Sequence, residues 1–308
     1  MVLLSVLAVG ALFVGGATSL DVTGTTTLTD PVASGDSITV ESGGLVTIND
    51  QSLIINLLTV DAGGQFYYST TSATSTVQFS SIINNDLVYF ASPSTNDIHF
   101  NLGTNIQNNG VMVINGLFDS VTIQSGSNTG QLTFWQEDGL FELINVINTG
   151  NICFYDSMVD ATNPSGNGCM ALYDSTFSLY SPQDNFNPSI VFEGGASQFY
   201  IETGGQNALY TLIQFGGGHT ITAPNDGFSA LSYSPDTGIA VVQQNGYQLS
   251  FDVGPGYDSS LFTYTNRVTY IIVSYGAAVP PGANSGGCSC VSIPPPTATT
   301  ASSTSINF

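Results

Sequence analysis

The chain has 308 residues, 42% of them hydrophobic, and a formal charge of −21, because 22 Asp and Glu residues face a single cation, Arg267. With no Lys and one Arg it cannot neutralise a phosphate backbone or dock electrostatically on anionic lipid, which argues against nucleic-acid and charged-membrane partners. Charged residues make up 7% of the chain, against about 25% in ordinary soluble domains, so packing and backbone hydrogen bonds must replace surface ion pairs.

Residues 1–17 read MVLLSVLAVGALFVGGA, an apolar run ending in small residues. This pattern predicts a secretory signal peptide over 1–19, with cleavage near Ala17 or Ser19. The run is shorter than the roughly 20 residues needed to cross a bilayer, so no membrane insertion is expected.

From residue 20 to 204 a unit recurs in which a turn ending in Gly or Asp precedes a short alternating strand. Gly44 precedes LVTI, Gly64 QFYY, Asp86 LVYF, Gly110 VMVI, Gly130 QLTF and Gly150 NICF, and the same reading places Asp174 before STFSLY and Gly195 before ASQFY. A period of about 20 to 24 residues with strand alternation and no helical periodicity predicts a parallel β-helix. Val46, Ile48, Phe66, Tyr68, Val88 and Phe90 are the expected inward ladders; the rival all-β reading is a sandwich of hairpins.

A secretory route permits disulfides among Cys153, Cys169, Cys288 and Cys290. A bond within Cys288-Ser289-Cys290 would close a very small ring, so the tail cysteines are expected to staple onto Cys153 and Cys169, with the pairing open. Four thiolates on zinc is the alternative.

Beyond 205 the repeat ends. Strand candidates at 209–215, 219–222, 228–233, 238–244, 248–253 and 268–275 are separated by turn signals at SPDTG, NG and GPG. They predict a small antiparallel β-sandwich over 205–287. Residues 288–308 hold the Cys-x-Cys pair and the start of a Ser/Thr/Pro-rich stalk suited to O-glycosylation. No N-x-S/T sequon occurs, and no lipid-anchor signal is visible, so the sequence reads as part of a longer surface protein or as a released form.

The stretch LSYSPDTGIAVVQQNGYQLSFDVGPGYDSSLF at 231–262 resembles the N-terminal domain of hyphally regulated cell wall proteins, yeast adhesins of the Hyr/Iff and Awp type. Tyr233 with Gly238, the G-x-G-Y-D turn at Gly254, Gly256, Tyr257 and Asp258, and the CSC pair before a stalk carry the similarity. The resemblance implies a right-handed β-helix capped by an α-crystallin-like sandwich and projected from a fungal cell wall. It implies adhesion or wall function, usually without an established ligand or enzyme activity.

A β-helix can also host a polysaccharide hydrolase or lyase. The acidic pairs Glu137 and Asp138, Asp156 and Asp160, and Asp86 and Asp97 supply carboxylates for glycoside chemistry, but Asp at Gly- and Asn-rich turns serves the backbone. Lyase chemistry on acidic sugars needs cations, and Arg267 is expected to pair with a nearby Asp in the second domain. His99 and His219 lack partners for a metal or triad. Calcium on Asp clusters has no D-x-D-x-D-G loop behind it. Of the strand aromatics Tyr67, Tyr68, Phe134, Trp135, Tyr155 and Tyr200, about half should face inward under strand alternation. The others would form a flat, hydroxyl-rich outer surface, with Trp135 the best contact candidate. No catalytic residue, metal or cofactor is expected. The reading is a monomeric, secreted wall adhesin that meets surface glycans, proteins or abiotic surfaces, against a carbohydrate-active enzyme or a passive wall component.

Overall fold

A computed structural model describes residues 19–28, 34–49, 52–71, 76–92, 99–116, 118, 120–135, 140–202 and 207–293. The predicted signal peptide, Asp97, Glu137, Asp138, the Gly204-Gly205 boundary and the stalk beyond 293 lie outside the described residues. The fold is all-β, a solenoid of about nine coils, and a single 3-10 turn, Ser259–Leu261, is the one helical element among the described residues.

Each coil gives one strand to each of two long sheets. Leu45–Asn49, Gln65–Ser69, Leu87–Ser92, Val111–Gly116, Gln131–Trp135, Asn151–Tyr155, Cys169–Tyr173, Ser189–Phe192 and Ala208–Ile213 follow one another in parallel in one sheet. The strands between them in the chain stack likewise in the other. Middle coils add a short third face, Asn105–Asn108, Gly126–Asn128 and Val146–Asn148. The expected ladder residues Val46, Ile48, Phe66, Tyr68, Val88 and Phe90 are fully buried. Phe154, Phe177 and Phe199 stack with ring centroids 5.6 and 5.7 Å apart. Burying each such ring contributes about 2–3 kcal/mol, far more than an exposed ion pair.

The predicted repeat frame slips once. Asp174 and Gly195 precede strands of the other sheet, Thr176–Tyr180 and Gln198–Ile201. The true successor of Asn151–Tyr155 is Cys169–Tyr173. Coils vary from 24 residues, Asn84 to Asn108, down to 18, Ser157 to Ser175. A fixed period therefore drifts onto the wrong face.

Two polar ladders run inside the walls. Asn84, Asn108, Asn128 and Asn148 are buried, and each Nδ2 of the first three donates to the next Oδ1 at 2.7 to 2.8 Å. Each also donates to a backbone carbonyl, that of Val111, Gln131 or Asn151. The ladder stops at Asn148 because Gly168 follows on the next coil; a Cβ there would lie 2.5 Å from Asn148 Nδ2. At another corner the backbone N–H groups of Ser157, Ser175 and Ser197 donate in turn to Ser175 Oγ, Ser197 Oγ and His219 Nδ1, the last at 3.0 Å. His219 is buried and ends this series.

Parallel pairing continues through Ala208–Ile213 and Thr220–Pro224. In one sheet parallel pairing runs on from Ala208–Ile213 to Gln248–Asp252, and in the other the first antiparallel pair joins Thr220–Pro224 to Tyr270–Tyr275. Ala230–Ser234, Ile239–Gln243 and Gln248–Asp252 then prolong one sheet, and Phe262–Asn266 with Tyr270–Tyr275 prolong the other. The motif residues singled out in the sequence build this end. Gly238 has φ 72°, and a Cβ on it would meet the Gly254 carbonyl carbon at 2.6 Å. Tyr257 donates to the Phe215 carbonyl at 2.7 Å, and Asp258 accepts from Ser260 N at 2.9 Å. These are packing and turn roles.

From this cap the chain doubles back across the outer face of the first sheet. Asn284 binds the Val253 and Asp252 backbone. Disulfides then join Cys288 to Cys169 and Cys290 to Cys153, and Val291 exchanges two hydrogen bonds of 2.7 Å with Gln131. All four cysteines are thereby paired, and none is free. Successive rungs are about 4.8 Å apart, whereas two extended residues span about 6.7 Å. The Cys290 N–H to Cys288 carbonyl bond, 2.8 Å, shortens the strap to fit. Beneath it Cys153, Ala171 and Val191 point outward yet are fully buried.

Three outcomes are expected from these contacts. Asn128→Ala breaks two neighbours' bonds inside the wall and should cost about 2–4 kcal/mol in urea unfolding. Asn109→Ala, whose side chain bonds Asn85 at the surface, should cost under about 1 kcal/mol; equal losses would refute the ladder's role. Burial pushes the His219 pKa below its ordinary value, so the unfolded chain takes up this proton before the folded one does. Stability should therefore fall as pH drops below about 6.5 and level off beneath the folded pKa. His219→Gln, compared by urea midpoint between neutral and mildly acidic pH, should lack that component. The strap bonds close loops of 137 and 119 residues, so thiol reduction should remove about 2–4 kcal/mol per bond. The far-UV β signal should persist at room temperature; its collapse would show that the coils depend on the strap to fold.

Candidate contact surface

Strand alternation divides the aromatics as their positions require. Tyr68 and Phe134 are fully buried, while Tyr67, Trp135, Tyr155 and Tyr200 lie on outer faces. Register places Trp135, Tyr155 and Tyr173 one above another on the strapped sheet. Their rings stack with centroids 5.0 and 4.4 Å apart and interplanar angles of 28° and 13°. The expected flat aromatic platform is thus corrected: faces are spent on one another, and edges and hydroxyls point outward. Trp135 ends the stack, with Asn115 on the rung beyond it, and remains 39% exposed.

The chain turns the corner into the other sheet directly after these strands. Asp156 and Asp174 occupy that corner with φ of 47° and 48° and are exposed. Asp, Asn and Gly tolerate this left-handed backbone best, and the opposite corner uses Asn145 and Asn163, φ 51° and 52°. Asp174 Oδ1 accepts from Ala196 N at 2.9 Å, above a glycine, Gly195, whose Cβ would collide with that carboxylate. Asp156, Ser157, Met158, Asp174 and Thr176 line a shallow open depression of about 350 Å³. Met158 is 59% exposed at its edge.

The local field is negative. Burial, then the neighbouring Tyr173, and Glu193 push the Tyr155 pKa up to about 12, and burial with Glu193 raises Tyr173. Two carboxylates one rung apart repel by about 1 kcal/mol even at the dielectric of water. Arg267 is exposed at a hairpin of the cap and makes no ion pair among the described residues, so the expected Asp partner is absent there.

Among the described residues the acidic candidates do not gather around one cleft. Asp160 lies on the outer face of the other sheet between Glu142 and Ser178 in register, its pKa raised by burial and, to a lesser degree, by Glu142 and Glu202. Asp156 and Asp160 therefore sit on a corner and a sheet face, not around one cleft. Asp86 accepts from Gly63 N at 2.6 Å, a turn role. His99 begins the strand His99–Asn101, on a different coil from His219. Among the described residues no group of three or more His, Cys, Asp or Glu could hold a metal, and no helix is long and apolar enough to cross a membrane. Sequence reasoning missed Met158 and the pairing of corner acids with the ring column. The repeated signal, Tyr155-Asp156-Ser157 and Tyr173-Asp174-Ser175, was present in the sequence.

Comparison with known proteins agrees with this architecture. The sequence matches the family described as hyphally regulated cell wall protein N-terminal over residues 11–297. It is similar to three proteins of Candida albicans. Cell wall protein RBR3 is 29% identical, with 85% of this chain and 19% of that protein covered. Cell wall protein IFF6 is 27% identical over 87% and 29%, and hyphally regulated cell wall protein 3 is 27% identical over 79% and 21%. The chain thus spans less than a third of the length of these relatives. With the family matched across nearly its whole length and the coils, cap and strap in place, the chain belongs to the hyphally regulated cell wall protein N-terminal family.

Proposed function

We propose that this chain is the displayed module of a secreted fungal cell-wall protein and that it works by adhesion, without catalysis. The observation that carries the reading is the outer ring column ending in exposed Trp135 beside Asp156, Asp174 and Met158. It offers contact chemistry on a rigid rod, with no convergent acid–base pair among the described residues. The wall proteins among its relatives support the setting. In the same reading the solenoid and the antiparallel end act as two units, the latter being the α-crystallin-like sandwich implied by the family. The whole acts as a monomer joined to the wall through the Ser/Thr/Pro-rich sequence beyond the strap. Contacts with surface glycans, proteins or abiotic surfaces are then made by many rungs at once, so weak single contacts add up.

Beads coated with the oxidised full chain should adhere to cells or plastic, or bind a glycan array, and Trp135→Ala should reduce retention severalfold without changing the unfolding midpoint. Coated beads that bind nothing would leave a passive wall component. Release of reducing ends from neutral or acidic polysaccharides, abolished by Asp160→Ala, would favour the enzyme instead.

A further inference from the structure

The corner beside the ring column has a chemical composition that narrows its partner. Its backbone demand, φ near 50°, is met by asparagine at the opposite corner, at Asn145 and Asn163. Conformation therefore does not explain why the two corner residues that follow Tyr155 and Tyr173 are carboxylates. Nor does the chain neutralise them: it has one cation in 308 residues, Arg267, and that residue lies in the distant antiparallel end. Apolar surface is exposed at the same edge: Met158, which lines the depression, is 59% exposed, and Trp135, stacked on Tyr155 on the adjoining sheet, is 39% exposed. An exposed thioether and indole next to uncompensated carboxylates match a side chain that is aliphatic along its stem and cationic at its tip. Lysine and arginine have that shape.

We infer that the ridge formed by Trp135, Tyr155, Tyr173, Asp156, Asp174 and Met158 is a docking surface for an extended, Lys/Arg-rich polypeptide segment of a partner protein. Stems lie on Met158 and the end of the ring stack, and the cationic groups reach the corner carboxylates. Register gives the ridge its repeat: Tyr155 stands opposite Tyr173 on adjacent strands, with the two Asp residues directly after them. Rungs recur about every 4.8 Å, and alternate side chains of an extended strand about every 6.7 Å. A strand lying obliquely across the rungs therefore brings successive same-side residues to successive corners. This inference rests on the adhesion reading and names its partner chemistry.

The test uses the full oxidised chain, whose single tryptophan is Trp135, so emission excited selectively at the indole, beyond tyrosine absorption, reports this ridge alone. Titration with a short lysine-rich peptide at low salt should shift or quench that emission saturably. Asp156→Asn with Asp174→Asn keeps the corner backbone, because asparagine tolerates positive φ, and should weaken binding about fivefold to tenfold at an unchanged unfolding midpoint. Trp135→Phe, followed by calorimetry, should also weaken it. Equal binding by the double variant would mean that the net charge of −21 attracts the peptide non-specifically, and the inference fails. It fails too if emission does not move, or if an amino-sugar oligomer of equal charge, which has no aliphatic stem, binds as tightly as the peptide. Beads that adhere while the peptide fails would sink this inference alone. Peptide binding with beads that adhere to nothing would sink the adhesion reading instead.

Discussion

The parallel backbone ladder is the constraint on which everything else in this molecule depends. Once Asn151–Tyr155 pairs in register with Cys169–Tyr173, every side chain lies directly over its counterpart one rung away. Like then stacks on like: phenylalanine on phenylalanine inside, asparagine on asparagine in the wall, tyrosine on tyrosine outside. The arrangement favours groups that can satisfy themselves by repetition. An asparagine amide both donates and accepts, so an internal column of them needs nothing but its own kind until it ends. A column of charges would repel itself, which suits a chain with 7% charged residues.

Each column must end somewhere: the asparagine column leaves Asn148 Nδ2 buried without a partner among the described residues, while the other columns are closed locally. The asparagine column ends against a glycine, Gly168, and the serine series ends on His219, a neutral ring whose Nδ1 accepts the last backbone N–H. The stacked cores end on strands that reverse direction and close over Tyr233, Tyr257, Phe262 and Tyr275. The outer column of Cys153, Ala171 and Val191 would leave an apolar stripe in water, and the strap covers it. With no ion pair among the described residues to clamp its surface, the rod uses two covalent bonds to hold the cover in place.

For function, the consequence is a long surface written in short repeats. Contact residues on successive coils are held at fixed spacing by the core beneath them, with little freedom to lose on binding. The corner beside the ring column combines the exposed Met158 with the carboxylates of Asp156 and Asp174, which gives that edge a mixed apolar and acidic chemistry. Of the described acids weighed for catalysis, Asp156 lies at a corner, Asp160 on a sheet face and Asp86 at a turn.

Much of this is legible in the sequence because β structure with a twenty-odd-residue period leaves a direct trace in alternation and turn residues. The all-β solenoid, the inward identity of Phe66, Tyr68 and Phe90, and the staple of the tail cysteines onto Cys153 and Cys169 can all be read from composition, spacing and ring strain. Coil lengths cannot, since a corner that absorbs four more or fewer residues leaves no mark on the strand pattern. The repeat frame therefore slips at Asp174. The sequence alone determined the class of fold and the chemistry the surface lacks. Only the tertiary structure decided which residues share a column, because register is set by hydrogen bonds between coils, and those alone brought Trp135, Tyr155 and Tyr173 together beside Asp156 and Asp174.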